Sequence, residues 1–338
     1  MNERDLDRYS RQIRFSGIGL SGQQRLLEAR VAIVGCGALG SFQAGALLRA
    51  GVRRLVLVDR DYVELNNLQR QWLYNEEDAE SARPKAEAAS RHLLRIDHES
   101  QAEPVVADLD AGNIGEILDG VHLILDGTDN FETRYLINDF AVQRGIPWIY
   151  GGAVGSYGIA MPIVPGSTCC FACLYPQPPA GVQPTCETAG VVNVLTSSIA
   201  SIQVNAALQL LCGCQRESCI TTIDFWGDGM RQIRQPAARA NCEVCGLRRF
   251  SRLEGRRRVP ISLCGRNAVQ IHSLRGPVDL LLLKKQLLPL GEVRANELAL
   301  RFRVPPYEMT IFHDGRAIVK GTTDAGIARS LYARYVGS

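Results

Sequence analysis

The stretch VAIVGCGALGSFQAGALLRAGVRRLVLVD, residues 31–59, decides the fold. It opens with VAIVG (31–35), a short apolar run rich in β-branched residues that closes on glycine, which predicts a buried strand. SFQAGALLRAG (41–51) is built of good helix formers and ends on Gly51. RLVLVD (54–59) is a second buried strand, ending on an acid. Strand, turn, helix and strand in this order form the repeating unit of a parallel sheet. Working outward, the pattern continues with a helix around 84–95, a strand at 103–107, a strand at HLILDG (122–127), a helix at 131–144 and a strand at PWIYG (147–151). Residues 1 to about 160 are therefore expected to form a doubly wound, Rossmann-like α/β layer on a mostly parallel sheet.

From 161 to 188 the texture changes. MPIVPGSTCCFACLYPQPPAGVQPTCE is rich in Pro, Gly and Cys and has little periodicity, which predicts a long crossing loop. A helix at about 190–212 and a strand at TTIDFW (221–226) follow. Residues 248–258 carry six arginines and one glutamate and read as a solvated linker rather than a nucleic-acid patch. Beyond 260 the pattern is that of a small α+β unit: YEMTIF and RAIVKG flank HDG, an Asp-Gly hairpin signal, and TDAGIARSLYARYV (323–336) opens with a capping residue and has helical apolar spacing. The expected domains are 1–250, a linker at 251–259, and 260–338.

The 338 residues carry 38 basic and 35 acidic side chains, a net charge of +3, with 46% hydrophobic residues and 11 cysteines. That length suits about two domains and a real core without disulfide staples. The near-neutral balance gives no global field for gripping nucleic acid, so none is expected as a partner. No stretch approaches the ~18 uninterrupted apolar residues of a membrane span, and no membrane partner is expected. The first residues, MNERDLDRYSRQIRF, lack the apolar core of a signal peptide. A reducing, cytoplasmic location is expected, where cysteines are seldom disulfide-bonded.

Gly35, Gly37 and Gly40 match G-x-G-x-x-G, a loop whose backbone N–H groups can approach phosphates at a helix N-terminus. Asp59, 19 residues after Gly40 at the end of the next strand, stands where an acid takes ribose hydroxyls. Taken alone, this suits a nicotinamide dehydrogenase at least as well as an ATP enzyme. The run DRDYVELNNLQRQ (59–71) shifts the balance. Asp61 adds a second acid, and Asn67, Gln69 and Arg70 form a polar cluster just past the strand end. Lys85 follows Pro84 at a helix start. Two cations near the phosphates suit a triphosphate whose leaving group gathers negative charge, and an NAD-dependent oxidoreductase has less use for them. DGTDN (126–130) ends the next strand, where Asp129 could hold Mg²⁺. Asn130 is equally a helix N-cap or a nucleotide contact.

The cysteines sort into classes. Cys170-x-x-Cys173 and Cys242-x-x-Cys245 suit a tetrahedral structural Zn²⁺ site that clips the crossing loop to the end of the large domain. Cys186, in PTCETAG, has no such partner and is either a nucleophile or an idle loop thiol. Cys212, Cys214 and Cys219 read as ordinary thiols, Cys36 as a packing residue, and Cys264 has no assignment.

Several motifs occur in one order: RYSRQ (8–12), GCGALG (35–40), DRDYVELNNLQRQ (59–71), Pro84-Lys85, DGTDNFETR (126–134), the two CxxC pairs and TCETAG (185–190). Over about 1 to 250 the chain resembles the ThiF/MoeB-type adenylyltransferases, relatives of the ubiquitin-activating enzymes. IPWIYGGAVGSYG (146–158), LCGRNAVQI (263–271) and GTTDAGIARSLYARYVG (321–337) look like the bacterial thiazole-biosynthesis branch rather than the molybdopterin-synthase branch.

The resemblance implies the following. The substrate is a small ubiquitin-like sulfur carrier protein ending in Gly-Gly, whose carboxylate attacks the α-phosphate of MgATP. Positions matching Asp59, Asn67, Arg70 and Lys85 contact ATP, within a site that also takes in the glycine loop with Ala38, and Asp61, Asn66, Gln69 and Asn130. The position matching Asp129 serves Mg²⁺. Arg11 matches an arginine that reaches the ATP site of the other subunit, which implies a homodimer. The CxxC cysteines match zinc ligands, and Cys186 matches a cysteine used in some members for a thioester or acyl-persulfide step. Ala38 departs from a frequent third glycine, and the segment between Arg70 and Lys85 is slightly long. No rhodanese-like domain is evident, so sulfur is expected from another protein such as a cysteine desulfurase.

Overall fold

The two strands of the opening stretch, β1 (Arg30–Val34) and β2 (Arg54–Val58), pair in parallel with Val31 opposite Leu55 and Val34 opposite Val58. They are the centre of an eight-stranded sheet of order β3-β2-β1-β4-β5-β6-β7-β8. Its other strands are β3 (Gln101–Val105), β4 (Leu123–Asp126), β5 (Trp148–Val154), β6 (Tyr157–Ile163), β7 (Cys219–Asp224) and β8 (Gly229–Arg234). The strands β3 to β5 across the sheet run parallel, and β6 to β8 continue it antiparallel. This computed structural model describes residues 1–177, 186, 188–214, 217–254, 262–263, 268–271, 277–295, 299–313 and 315–337. They divide into two compact units, Met1–Pro179 with Gly190–Arg256, and Ala180–Ala189 with Arg257–Ser338.

Alternation along the central strands builds two cores, one on each face of the first unit's sheet. Ala32, Val34, Val56, Val58 and Ile124 meet Tyr135, Ile137 and Phe140 of the helix Phe131–Arg144. Val31, Ile33, Leu55, Leu57 and Leu125 meet Leu47 and Leu48 of the helix Ala38–Arg49 and Leu93 of the helix Lys85–Ile96. Burial on both faces is why these strands read as continuous apolar runs. The doubly wound expectation therefore holds.

The sheet runs further than the sequence suggested. Met161–Ile163, expected in the crossing loop, belong to β6. Pro162 reads as a breaker, yet it sits opposite Ile149 of β5 at a point where β6 has already parted from β7, whose pairing covers Tyr157–Ala160 only. One side of the strand is unpaired there, so the missing N–H costs no ladder bond. β8 is an exposed edge strand whose GMRQIR shows no apolar alternation to read.

The helix Asn193–Leu211 is long and apolar enough by length and composition to cross a membrane. In this fold it packs on the helix Ala38–Arg49 and on β5 and β6, with Leu195, Ile199, Ala200, Val204 and Ala207 buried. Its Gln203, also buried, donates to the carbonyls of Asp126 (2.8 Å) and Ile149 (3.0 Å) and accepts from Gln43 (2.6 Å).

The second unit is a six-stranded antiparallel sheet of order β11-β12-β13-β14-β10-β9, with β9 at Ser262–Leu263, β10 at Ala268–Ile271, β11 at Glu292–Ala295, β12 at Ala299–Val304, β13 at Tyr307–Phe312 and β14 at Ala317–Lys320. Val269, Leu300, Phe302, Met309, Ile311 and Val319 pack with Leu283 and Leu287 of the helix Leu280–Leu287. β13 and β14 form the expected hairpin, and Asp324 caps the helix Ala325–Tyr335 by accepting from the N–H groups of Gly326 and Ile327. Cys264, the Asp of the hairpin turn, 178–185 of the crossing loop and 255–259 of the linker lie outside the described residues.

Candidate nucleotide site and cysteine cluster

From β1 the chain moves outward to β2 and β3, then returns to place β4 on the other side of β1. The carboxyl ends of strands at such a reversal form the ligand crevice of an open α/β sheet. Here that crevice is made by two turns locked together. Gly35 follows β1 and donates to the Val58 carbonyl (2.7 Å), while Gly127 follows β4 and donates to the Val34 carbonyl (2.8 Å). Gly35 has a φ of +88°, and a Cβ there would sit 2.6 Å from Gly127 backbone atoms. A Cβ on Gly40 or Gly127 would collide with the Gly35 carbonyl. These three glycines are demanded by backbone contact. Gly37 is different: a Cβ on it would meet only Gln71 Nε2, at 3.9 Å. Gly37 caps the helix Ala38–Arg49, so the open space above it faces helix N–H groups, a ready anion site.

Asp59 fixes the loop from the side. Its Oδ2 accepts from the Cys36 N–H (2.6 Å) and its Oδ1 from the Asp61 N–H (2.7 Å). Burial pushes its carboxyl up, the Lys85 ammonium pulls it back, and Asp61 adds a further upward push. Lys85 begins the helix Lys85–Ile96, donating its backbone N–H to the Asp61 carbonyl (2.8 Å) and placing Nζ 3.4 Å from Asp61 Oδ2. The Tyr74 hydroxyl lies 2.7 Å from the Cys36 carbonyl and 3.1 Å from that of Lys85, tying the glycine loop to the lysine's helix. Asp59, Asp61 and Lys85 are thus brought together at the loop. Cys36 is fully buried, and burial pushes its thiol well up, as suits a packing residue.

The NNLQR run forms a short 3₁₀ turn, Leu65–Asn67, and its continuation. Asn67 is buried, accepts from the Glu64 N–H (3.2 Å) and donates to Asn66 Oδ1 (2.8 Å). Arg70 is half-buried and donates to the Asn66 carbonyl (2.9 Å), while Asn66 and Gln69 are exposed. Asp129 is exposed on the turn after β4. Asn130 takes the capping role, its Oδ1 accepting from the Thr133 N–H at 2.8 Å. Arg11 is exposed on the helix Ser10–Ile13, which Gln12 anchors by donating to the Ala50 carbonyl (2.8 Å). Among the described residues no contact joins Arg11 to the glycine loop of its own chain.

Two residues that organise the turn went unassigned in the sequence, although both lie in DGTDNFETR. Asp126, fully buried at the end of β4, receives Arg134 Nε (3.0 Å) on Oδ2 and the Thr128 N–H (2.8 Å) and hydroxyl (2.6 Å) on Oδ1. Arg134 also donates to the Thr128 and Gly151 carbonyls (2.6 and 3.1 Å). Burial pushes the Asp126 carboxyl up and Arg134 pulls it back. Every neighbour of the carboxyl is a donor, which fits the ionised form. The available signal was an acid closing a buried apolar strand, which needs a buried partner nearby.

The four CxxC thiols converge. Their sulfur atoms all lie within 4.8 Å of one another, with Cys170–Cys173 at 3.9 Å, Cys170–Cys242 at 3.6 Å and Cys173–Cys245 at 3.4 Å. Zinc–sulfur bonds of about 2.3 Å put the edge of a tetrahedron at about 3.8 Å, so the cluster fits a tetrahedral zinc and is far too open for disulfides. Burial and the neighbouring thiols push Cys245 up to about 12, a cost that a bound cation reverses. Cys186 lies in a turn, half-buried, with its preceding neighbours outside the described residues.

The crevice is that of a nucleotide-binding enzyme on a Rossmann-like sheet, and the relatives identify its class as the adenylyltransferases. The chain belongs to the ThiF family, whose model matches residues 9–244. It is 43% identical over 334 residues to the sulfur carrier protein ThiS adenylyltransferase of Bacillus subtilis, covering 98% of this chain and 99% of that one. It is 37% identical to the protein of the same name from Escherichia coli, covering 73% of this chain and 97% of that one. Among solved structures, Escherichia coli MccB with MccA-N7isoASN superposes with a TM-score of 0.63 at 21% identity, covering 71% of this chain and 74% of that one, a likeness of fold.

Proposed function

We propose that this protein adenylates the C-terminal Gly-Gly carboxylate of a small ubiquitin-like sulfur carrier. One observation carries the reading: the match to a sulfur carrier adenylyltransferase runs end to end, through both units. A carboxylate oxygen attacks the α-phosphorus of ATP, the bond to the bridging oxygen of the β-phosphate breaks, and pyrophosphate leaves. The acyl-adenylate is then ready for sulfur transfer and thiocarboxylate formation. No proton need move in this step, so the protein's work is positioning and charge.

The obstacle is the meeting of two anions. Arg70 and Lys85 offset it, with Arg11 supplied by the second copy in a homodimer, as suits its exposed position. Asp59 takes the ribose, and the N-terminus beginning at Gly37 takes phosphate. Asp129, an exposed carboxylate at the crevice, would hold Mg²⁺, which screens the phosphate oxygens. Cys170, Cys173, Cys242 and Cys245 would hold Zn²⁺ as a structural clip on the crossing loop. Cys186 would act afterwards: its thiolate would attack the acyl-adenylate and release AMP to give a thioester, or, carrying a persulfide sulfur from a separate donor such as a cysteine desulfurase, it would release AMP to give an acyl-persulfide. In this reading 1–250 is the adenylating domain, 251–259 a linker and 260–338 an accessory unit, and the enzyme works in the cytoplasm.

The pathway favoured is thiamine thiazole formation, since the relatives matched at 43% and 37% both carry the ThiS name. The alternative is the molybdopterin-synthase carrier. ATP–pyrophosphate exchange with candidate Gly-Gly carriers, offered one at a time, tests both. Exchange with a thiazole-pathway carrier is expected, and exchange with no Gly-Gly carrier would overturn the proposal.

A further inference from the structure

Gln71 ends the DRDYVELNNLQRQ run and is 4% exposed. Its Oε1 is buried with no hydrogen-bond partner among the described residues. Its Nε2 is the nearest atom to the Cβ position of Gly37, 3.9 Å away, across the open space at the head of the twelve-residue helix Ala38–Arg49. The backbone holds the side chain there. The Gln71 N–H donates to the Asn67 carbonyl (3.0 Å), and the next N–H, of Trp72, donates to Ser41 Oγ (3.1 Å) in the first turn of that helix. Gln71 is thus clamped between the turn that carries Arg70 and the helix that Gly37 caps.

We infer that Gln71 is a nucleotide-binding residue, its Nε2 donating to a phosphate oxygen of the bound triphosphate in the space over Gly37. The inference rests on the adenylation reading above. A phosphoryl oxygen only accepts, so it must meet the NH₂ end of the amide, and the carbonyl end is then turned inward. That is the arrangement seen: the polar atom aimed at the open space is the donor, and the acceptor is the one without a partner. Packing alone does not call for an amide here, because an apolar side chain of the same length would fill the volume without leaving a buried carbonyl unpaired. The Gln71 donor would share the anion with the N–H groups that follow Gly37, a convergence that a lone helix end does not provide.

The test uses the full-length protein without any carrier and titrates MgATP, its non-hydrolysable α,β-methylene analogue and adenosine by calorimetry. Gln71→Met keeps the shape and removes the donor, and is expected to weaken the triphosphates roughly tenfold to a hundredfold. Gln71→Glu keeps the shape but presents only an acceptor with negative charge, and is expected to weaken them further. Adenosine, lacking phosphate, is expected to bind both variants as it binds the unaltered protein. Equal triphosphate affinity in all three proteins, with unchanged melting temperatures, would overturn the inference. So would an equal loss for adenosine, which marks a structural role. Should the variants not fold, a crystal structure of the unaltered protein with the analogue decides: Gln71 Nε2 within hydrogen-bond distance of a phosphate oxygen supports the contact, and a longer separation removes it. Failure of the unaltered protein to bind MgATP at all would sink the adenylation reading itself, and the inference with it.

Discussion

Asp59, Asp61 and Lys85 hold one another and the glycine loop in place through a handful of contacts, whereas Arg70 is half-buried and Asp129 is exposed. The division predicts how substitutions behave. Arg70→Ala and Asp129→Ala should each lower ATP–pyrophosphate exchange by roughly 10²-fold or more while the melting temperature stays put. Near-normal exchange in either variant would count against its role. Asp139, by contrast, affects stability. Burial pushes its carboxyl up to about 6 even though its Oδ2 accepts from the Arg252 N–H at 3.0 Å. A carboxyl raised above its unfolded value favours the fold below the unfolded pKa, and that advantage is lost as pH rises through about 6. Asp139→Asn keeps the acceptor and removes the charge. It should gain stability over the unaltered protein by about 2 kcal/mol between about pH 4 and about pH 7, readable from urea melts at the two values. At this scale the sequence was informative about Gly35, Gly40, Asp59 and Lys85, because each occupies a fixed offset from a strand end. Asn130 was legible as having either of two uses, of which the structure shows the capping bond. Gln71 and Arg134 were not legible, since their significance lies in what they face across the fold.

Elements were easiest to read where their burial is uniform. The helix Phe131–Arg144 matches its expected span, and β1 and β2 follow their apolar runs. β6 was not read as a strand, and its end at Met161–Ile163 was placed in the crossing loop. β8 was missed because an exposed edge strand carries no alternation. The turn after β4 depends on the Asp126–Arg134 pair, both members of which are buried. Arg134→Met should leave Asp126 charged and unpaired and destabilise the protein by about 3–5 kcal/mol, seen as a lowered denaturation midpoint. A loss within error would mean that Thr128 and Gly151 suffice. The cysteine cluster is the other cross-element tie. Purified protein should contain one zinc per chain by mass spectrometry of the metal, and Cys242→Ser should lower both zinc content and melting temperature. Full stability without metal would remove the clip.

Across the whole molecule, the role proposed for Cys186 follows adenylation, so adenylation and later transfer should separate. Cys186→Ala is expected to leave pyrophosphate exchange within about twofold while abolishing any covalent carrier adduct seen by intact mass. Loss of exchange in a folded variant would contradict that order of events. The Arg-rich run and the hairpin signal suggested a second unit after about 250, whereas the compact units also group Ala180–Ala189 with Arg257–Ser338. How the crossing loop is tied was legible only as spacing, because proximity of thiols so distant in sequence is a property of the folded chain. That separation has a temporal side. Cys170 and Cys242 are 72 residues apart, and at a synthesis rate of about 5–20 residues per second the second pair emerges roughly 4–14 seconds after the first. For that interval the nascent chain carries two closely spaced thiols with half a coordination shell. On the zinc reading proposed above, oxidation or loading of the wrong metal is therefore a hazard of birth rather than of the mature enzyme, and Cys170 and Cys173 meet their partner thiols only after the eight-stranded sheet has left the ribosome.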